Sequence, residues 1–117
     1  MQIEQRTRGD VTIVDLTGRL VIGDAPDDLR DTIDELLAEG RRKIVLNVSE
    51  LARIDSSGIG ELVAALKRAQ SVGARLALLQ PAESVRRILD LSHVLPLFES
   101  YDDEQNALEA VSDEAPG

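Results

Sequence analysis

The segments Ile44-Val45-Leu46-Asn47-Val48, Asp55-Ser56-Ser57-Gly58-Ile59-Gly60 and Arg75-Leu76-Ala77-Leu78-Leu79 decide the fold. The first and third show little polar alternation, the pattern of strands buried on both faces. Between them Ile59, Leu62, Val63, Leu66 and Ala69 recur at helical spacing until Gly73. A strand, a helix and a strand joined by short connections form a βαβ unit, with parallel strands and a right-handed crossover. The stretch from Asp55 to Gly60 therefore falls at the carboxyl end of a central strand, the edge of an open α/β sheet where ligands and reactive groups gather. Unsatisfied N–H groups and the positive end of the helix dipole suit a phosphate or another anion there. Two of the first helical positions are Gly, each about 0.8 to 1.0 kcal/mol worse than Ala in a helix interior, so something other than helix stability accounts for them.

Moving outward from this unit, residues 3–8 and 11–16 read as antiparallel strands around a Gly9-Asp10 turn, with β-branched Val11, Thr12, Ile13 and Val14. A third short strand is expected over residues 19–22. Asp24 is placed to cap a helix with Leu29, Ile33, Leu36 and Leu37 on one face and Asp27, Asp28 and Asp31 crowding its first turns. Gly40 stops that helix, with Arg41 and Arg42 at its negative end. Pro81 is expected to open a later helix with Val85, Ile88 and Leu89 inward and Arg86 and Arg87 outward. Residues 95–98 read as a short extended piece, and Asp102 with Gln105 resembles a capping box for a last helix carrying Ala107, Leu108 and Val111. The expectation is one α/β domain over residues 1–111, a mostly parallel mixed sheet with about four helices packed mainly on one side, followed by a frayed tail at 112–117. There is no internal repeat or linker.

Composition removes most other classes. A chain of 117 residues is one domain, long enough to bury about two thirds of its unfolded surface. With 13 Lys and Arg against 22 Asp and Glu, the net charge of -9 opposes binding to nucleic acid or anionic lipid. Phe98 and Tyr101 are too few aromatics for base stacking. There is no cysteine, and no apolar run approaches the ~20 residues of a membrane span. No signal-peptide pattern opens the chain. Together these predict a cytoplasmic protein with no nucleic-acid partner and no direct membrane insertion.

Catalysis finds little support. A serine hydrolase would need His93 within about 3 Å of Ser56 and an acid behind it, and nothing in the spacing brings them together. Gly58-x-Gly60 lacks the Gly-Lys-Ser/Thr continuation of a phosphate-binding loop. One histidine and no cysteine leave no transition-metal cluster, so no cofactor, metal or catalytic residue is expected. By residue chemistry Ser56 and Ser57 are each either a helix cap or an exposed hydroxyl beside small residues; both roles coexist if Ser57 caps and Ser56 faces out. Asp55 reads as an Asx-type turn residue bonding local backbone or as a residue orienting the Ser56 hydroxyl.

The order of strand, Asp55-Ser56-Ser57-Gly58-Ile59-Gly60 and amphipathic helix, with Gly18-Arg19-Leu20 upstream and Ile44-Val45-Leu46-Asn47 before it, resembles a STAS domain over nearly the whole chain. More narrowly it is similar to the bacterial anti-sigma-factor antagonists. That resemblance implies a serine phosphorylated directly after the aspartate, which is Ser56 here. It further implies a partner that is both anti-sigma factor and ATP-dependent serine-protein kinase of the GHKL type, and a serine phosphatase that reverses the modification. The unphosphorylated form would bind the kinase and free the sigma factor. The partner surface implied is Asp24, Asp55, Ser56, Ser57, Gly58, Ile59 and Gly60, where Asp24 resembles an acidic position that contributes to kinase recognition and otherwise reads as a helix cap. In this picture the glycines give a kinase clearance. The rival is a scaffold or binding subunit of the same fold, in a stress-signalling or transporter complex, without a kinase switch.

Overall fold

The computed structural model describes residues 1–21, 23 and 27–112. Strands β2 (Val11–Leu20), β3 (Lys43–Ile54), β4 (Arg75–Leu79) and β5 (Glu99–Tyr101) lie side by side in chain order and run parallel, and β1 (Gln2–Arg8) joins β2 antiparallel as an outer strand. Each parallel step is made through a helix: α1 (Asp27–Ala38), α2 (Ser56–Ser71) and α3 (Glu83–Leu91). Because the strands advance in one direction, right-handed crossovers put all three helices on the same face. Their apolar residues Leu29, Ile33, Leu36, Leu62, Ala69, Val85 and Leu89 share one core with Leu16, Leu46, Leu51 and Leu78 of the sheet. A last helix, α4 (Glu104–Ser112), covers the other face, where Ala107 and Val111 meet Ile13, Val45, Ala77 and Leu79. The expected mixed sheet with helices mainly on one side is thus the observed architecture.

The three front helices stop in the same way. The N–H five residues beyond an orphan carbonyl turns back to it: Arg41 to Leu36 at 3.0 Å, Ala74 to Ala69 at 2.8 Å and Val94 to Leu89 at 2.9 Å. This reversal needs a left-handed residue just past the helix, supplied by Gly40 (φ 88°) and Gly73 (φ 74°), and at the third stop by His93 (φ 58°). The expected role of Arg42 also holds, its guanidinium donating to the Leu37 carbonyl at 3.1 Å.

Several boundaries differ from those expected. Residues 19 and 20 are not a separate strand: β2 continues through Gly18 to Leu20, and Ile22 lies outside the described residues, as does the expected cap Asp24. Strand β3 runs on past Val48 to Ile54. Helix α3 starts at Glu83, two residues after Pro81. Residues Leu95–Leu97 form a 3-10 turn with Pro96 in it, and the extended piece is β5 beyond it. Asp103 caps α4, accepting from the N–H of Gln105 at 2.7 Å, while Asp102 pairs with Arg86 at 2.8 Å. Ser112 closes α4, and 113–117 lie outside the described residues.

The length of β2 and β3 has a structural result. Pairing of β1 with β2 ends at Thr17, and pairing of β3 with β4 ends at Asn47. Among the described residues, 18–20 and 51–54 pair only with each other, so a two-stranded ribbon projects beyond the body of the sheet. The register slips twice on the way: Asp15 to Thr17 faces Asn47 to Glu50, and Gly18 to Arg19 faces Leu51 to Arg53, one extra residue of β3 each time. Such bulges bend and twist a strand and re-aim the residues beyond them.

Candidate functional site at the entry to α2

The ribbon ends in Asp55, which is extended (φ -117°, ψ -173°) and caps α2. Its side chain accepts from the N–H of Gly58 at 3.0 Å and its carbonyl from the N–H of Ile59 at 2.9 Å. The Asx-type turn reading of Asp55 is therefore the observed one. Ser57 is not the cap; it already lies in the first helical turn, because the carboxylate two residues earlier takes the orphan donor. Ser56 is the first helical residue and is exposed, Ser57 and Ile59 are half-buried, and Gly60 is exposed.

The two glycines have different reasons. Gly58 is buried against the end of β2: a Cβ there would overlap the carbonyl oxygen of Leu20 and stand 2.8 Å from Ile54 Cγ1. The same carbonyl accepts the N–H of Asp55 at 3.4 Å. The clearance assigned to Gly58 is thus used inside the fold, to seat the helix on the ribbon. Around Gly60 none of the described residues comes within 4 Å of an added Cβ, so of the two glycines it is this one that leaves the outer surface low.

One turn further on, Glu61 takes the guanidinium of Arg30 at 3.0 Å and ties α2 to α1. The Glu61 side chain is only 14 % exposed, and its second carboxylate oxygen has no partner among the described residues. Sequence reasoning missed this pair, since its two residues lie 31 positions apart on different helices; the one signal was a carboxylate on an otherwise apolar stretch of α2. Asp24, expected beside the serine, lies outside the described residues.

His93 does not approach Ser56. Ser56 opens α2 at the carboxyl edge of the sheet, whereas His93 follows the last residue of α3 and therefore sits at the opposite edge. A cavity of about 180 Å³ lined by Leu66, Gln70, Leu76 and Leu97 also lies at that far edge, beside the starts of β4 and β5. Among the described residues no group of three or more His, Cys, Asp or Glu is placed to hold a metal ion. Among them, too, no helix is long and apolar enough to cross a membrane. What the entry to α2 offers is an exposed serine hydroxyl at a helix N-terminus, with the exposed Gly60 one turn on.

Comparison with known proteins agrees with this geometry. The profile of the STAS domain matches residues 2–107. The anti-sigma F factor antagonist of Paenibacillus polymyxa is 33% identical over 109 residues, covering 92% of each chain. The crystal structure of TM1081 from Thermotoga maritima superposes with a TM-score of 0.86 at 33% identity, covering 94% of both chains. The unphosphorylated anti-sigma factor antagonist SpoIIAA superposes with a TM-score of 0.80 at 23% identity, covering 97% of this chain and 99% of its own. That Bacillus protein is also known in a phosphorylated form. With its strand order, the aspartate-capped entry to α2 and a profile match from the first strand into the last helix, the chain belongs to the STAS domain family.

Proposed function

We propose that the protein is an anti-sigma factor antagonist whose binding is switched by phosphorylation of Ser56. The observation that carries this is an exposed serine hydroxyl as the first residue of α2, on a turn fixed by the Asp55 cap and bordered by bare Gly60. Relatives of the same family carry the antagonist name, and SpoIIAA exists in both phosphorylation states. In this reading the protein acts by binding: the unmodified form engages an anti-sigma factor that is also an ATP-dependent serine kinase, the sigma factor is released, and a phosphatase resets the switch. Asp24, Asp55, Ser56, Ser57, Gly58, Ile59 and Gly60 belong to or support the surface the partner meets.

The electrostatics favour an interface switch over a conformational one. A phosphate brings about -1.5 to -2 charges next to Asp55 on a chain of net charge -9. At a helix N-terminus that charge strengthens the helix. The fold is kept, and the cost falls on the complex, where the phosphate must be desolvated against the partner.

Incubation with ATP and the cognate kinase should place one phosphate on Ser56, read by mass spectrometry. Ser56→Ala should bind the kinase and escape modification, and Ser56→Asp should bind at least tenfold more weakly. Equal binding of the two variants would defeat the switch, and stable copurification with transporter subunits in place of a kinase would favour the scaffold.

A further inference from the structure

Strand β1 ends the sheet on one side, and among the described residues nothing pairs with its outer edge. Its register with β2 is unbroken over all 7 residues and closes on Arg8 across from Val11, around Gly9 with the positive φ (63°) of a two-residue hairpin turn. The residues flanking such a turn bond each other, so Arg8, Arg6, Glu4 and Gln2 point their N–H and C=O groups at β2. By alternation Ile3, Gln5 and Thr7 aim theirs away from the sheet. An open row of this kind is a template for another strand.

The side chains select the strand that fits. Ile3 packs on the front core, so Gln5 and Thr7 share the front with it, while Gln2, Glu4, Arg6 and Arg8 lie on the back, where both arginines meet Glu104 of α4. Glu4 is exposed and stands across from another carboxylate, Asp15, which already holds Arg6. Among the described residues Glu4 has no cation of its own. We propose that β1 pairs antiparallel with β1 of a second copy of this chain, about a twofold axis at Gln5. Gln5 then bonds Gln5 of the second copy, and Ile3 bonds Thr7 of the second copy on either side of the axis. Between them Glu4 faces Arg6 of the second copy, twice, in the close pairs whose Cα atoms come within about 4.5 Å. Sliding the copies by two residues either way keeps the hydrogen bonds but sets Glu4 on Glu4 or Arg6 on Arg6, which repel. The charges on this edge therefore guard it in the neighbouring registers and admit a partner in one. The contact is isologous and makes one sheet through both copies. Because the copies run in opposite directions, their α2 entries lie at opposite edges of that sheet, each open to a partner of its own.

The test reads amide exchange and sedimentation of the purified chain at about 0.02 mM and about 1 mM, a range that captures weak association. At the higher concentration a dimer should sediment, and the N–H groups of Ile3, Gln5 and Thr7 should exchange at least about threefold more slowly, while those of Glu4 and Arg6, already bonded to β2, keep their rates. Glu4→Lys turns both cross-copy pairs repulsive and should weaken the dimer at least about tenfold. Gln5→Pro removes the N–H at the axis, a change that an edge strand tolerates on its open side, and should abolish the dimer. Glu83→Lys makes the same change of net charge at an exposed position on α3 and should leave the affinity as it was. Amide spectra outside β1 that match the parent establish that the variants are folded. Exchange at Ile3, Gln5 and Thr7 that ignores concentration, a dimer that keeps its affinity in Glu4→Lys or in Gln5→Pro, or an equal loss in Glu83→Lys would each overturn the pairing.

Discussion

The body of the sheet and the ribbon that projects from it are built on different terms. In the body, the inner strands pair on both sides and the sheet is covered by α1 to α3 in front and α4 behind. In the ribbon, two strands pair, among the described residues, only with each other, the front is closed by the first turn of α2 lying on Leu20, and Arg19 and Arg53 stand across from one another in the register. The candidate site therefore sits where the cover of the fold runs out. Its rigidity comes from a few close contacts at one glycine and one aspartate, and the large apolar core stands behind it.

The sharpest way to break that contrast is at Gly58. Helix propensity alone would make Gly58→Ala a gain of about 1 kcal/mol. The overlap with the Leu20 carbonyl is a clash with backbone, and overpacking of this kind costs about 2 to 3 kcal/mol, so it should win. Urea unfolding of Gly58→Ala should show that loss, with faster amide exchange confined first to residues 18–20 and 51–58. Gly60→Ala, with open space around it, should gain a few tenths of a kcal/mol instead. Equal responses of the two glycines would mean that the ribbon is not held by this seat.

A smaller effect, on the body alone, is expected at Asp15. This carboxylate is held below its ordinary range chiefly by its hydrogen bond with Arg6, aided by Asn47 and opposed by partial burial. Arg6 also reaches Glu104 at 3.0 Å, so the cluster pins the start of α4 to β1. A lowered carboxyl pKa gives stability that is present above the unfolded value of about 3.9 and lost as pH falls through the folded one. Between pH 4 and 2 the parent protein should therefore lose more stability than Asp15→Asn, by about 1 kcal/mol for a partly exposed network. The exchange rates around Ser56 should not differ between the two. Coupling of Asp15 to the ribbon would show as a change there.

The smallest effect is at the third helix stop. His93 holds a left-handed conformation, which costs an L-residue about 1 to 2 kcal/mol, while glycine gives back part of that in chain entropy. His93→Gly should leave a net gain of about 0.5 kcal/mol in thermal unfolding and no change in binding through Ser56. Loss of binding would place the histidine in a role that its position at the far edge does not suggest.

These contrasts also mark how far the sequence could be read. The βαβ unit was legible because its strands are buried on both faces and its helix is periodic; Gly40 and Gly73 were legible as stops because glycine is the usual left-handed residue. The second half of β3 was not, since Ser49, Glu50 and Arg53 lack strand character when one face is bare and two bulges break the alternation. The left-handed conformation of His93 was not legible, because an L-residue with a Cβ rarely adopts it. At the site, the location and the exposed serine were legible. The cap was not, because Asp55 and Ser57 are both good cap residues, and what decides between them is the geometry of the chain leaving β3. The seat of Gly58 on Leu20 joins residues 38 positions apart, and no local pattern reports such a distance.

The ion pair between Arg6 and Glu104 spans 98 positions of sequence. During synthesis the first strand therefore leaves the ribosome long before its clamp exists, and β1 must wait, paired at most with β2, until α4 has emerged. Contacts of such wide separation are made late and slowly. The last step in acquiring this protein's shape should accordingly be a closing of its first strand and last helix upon one another, with the Ser56 surface already in place on the nascent chain.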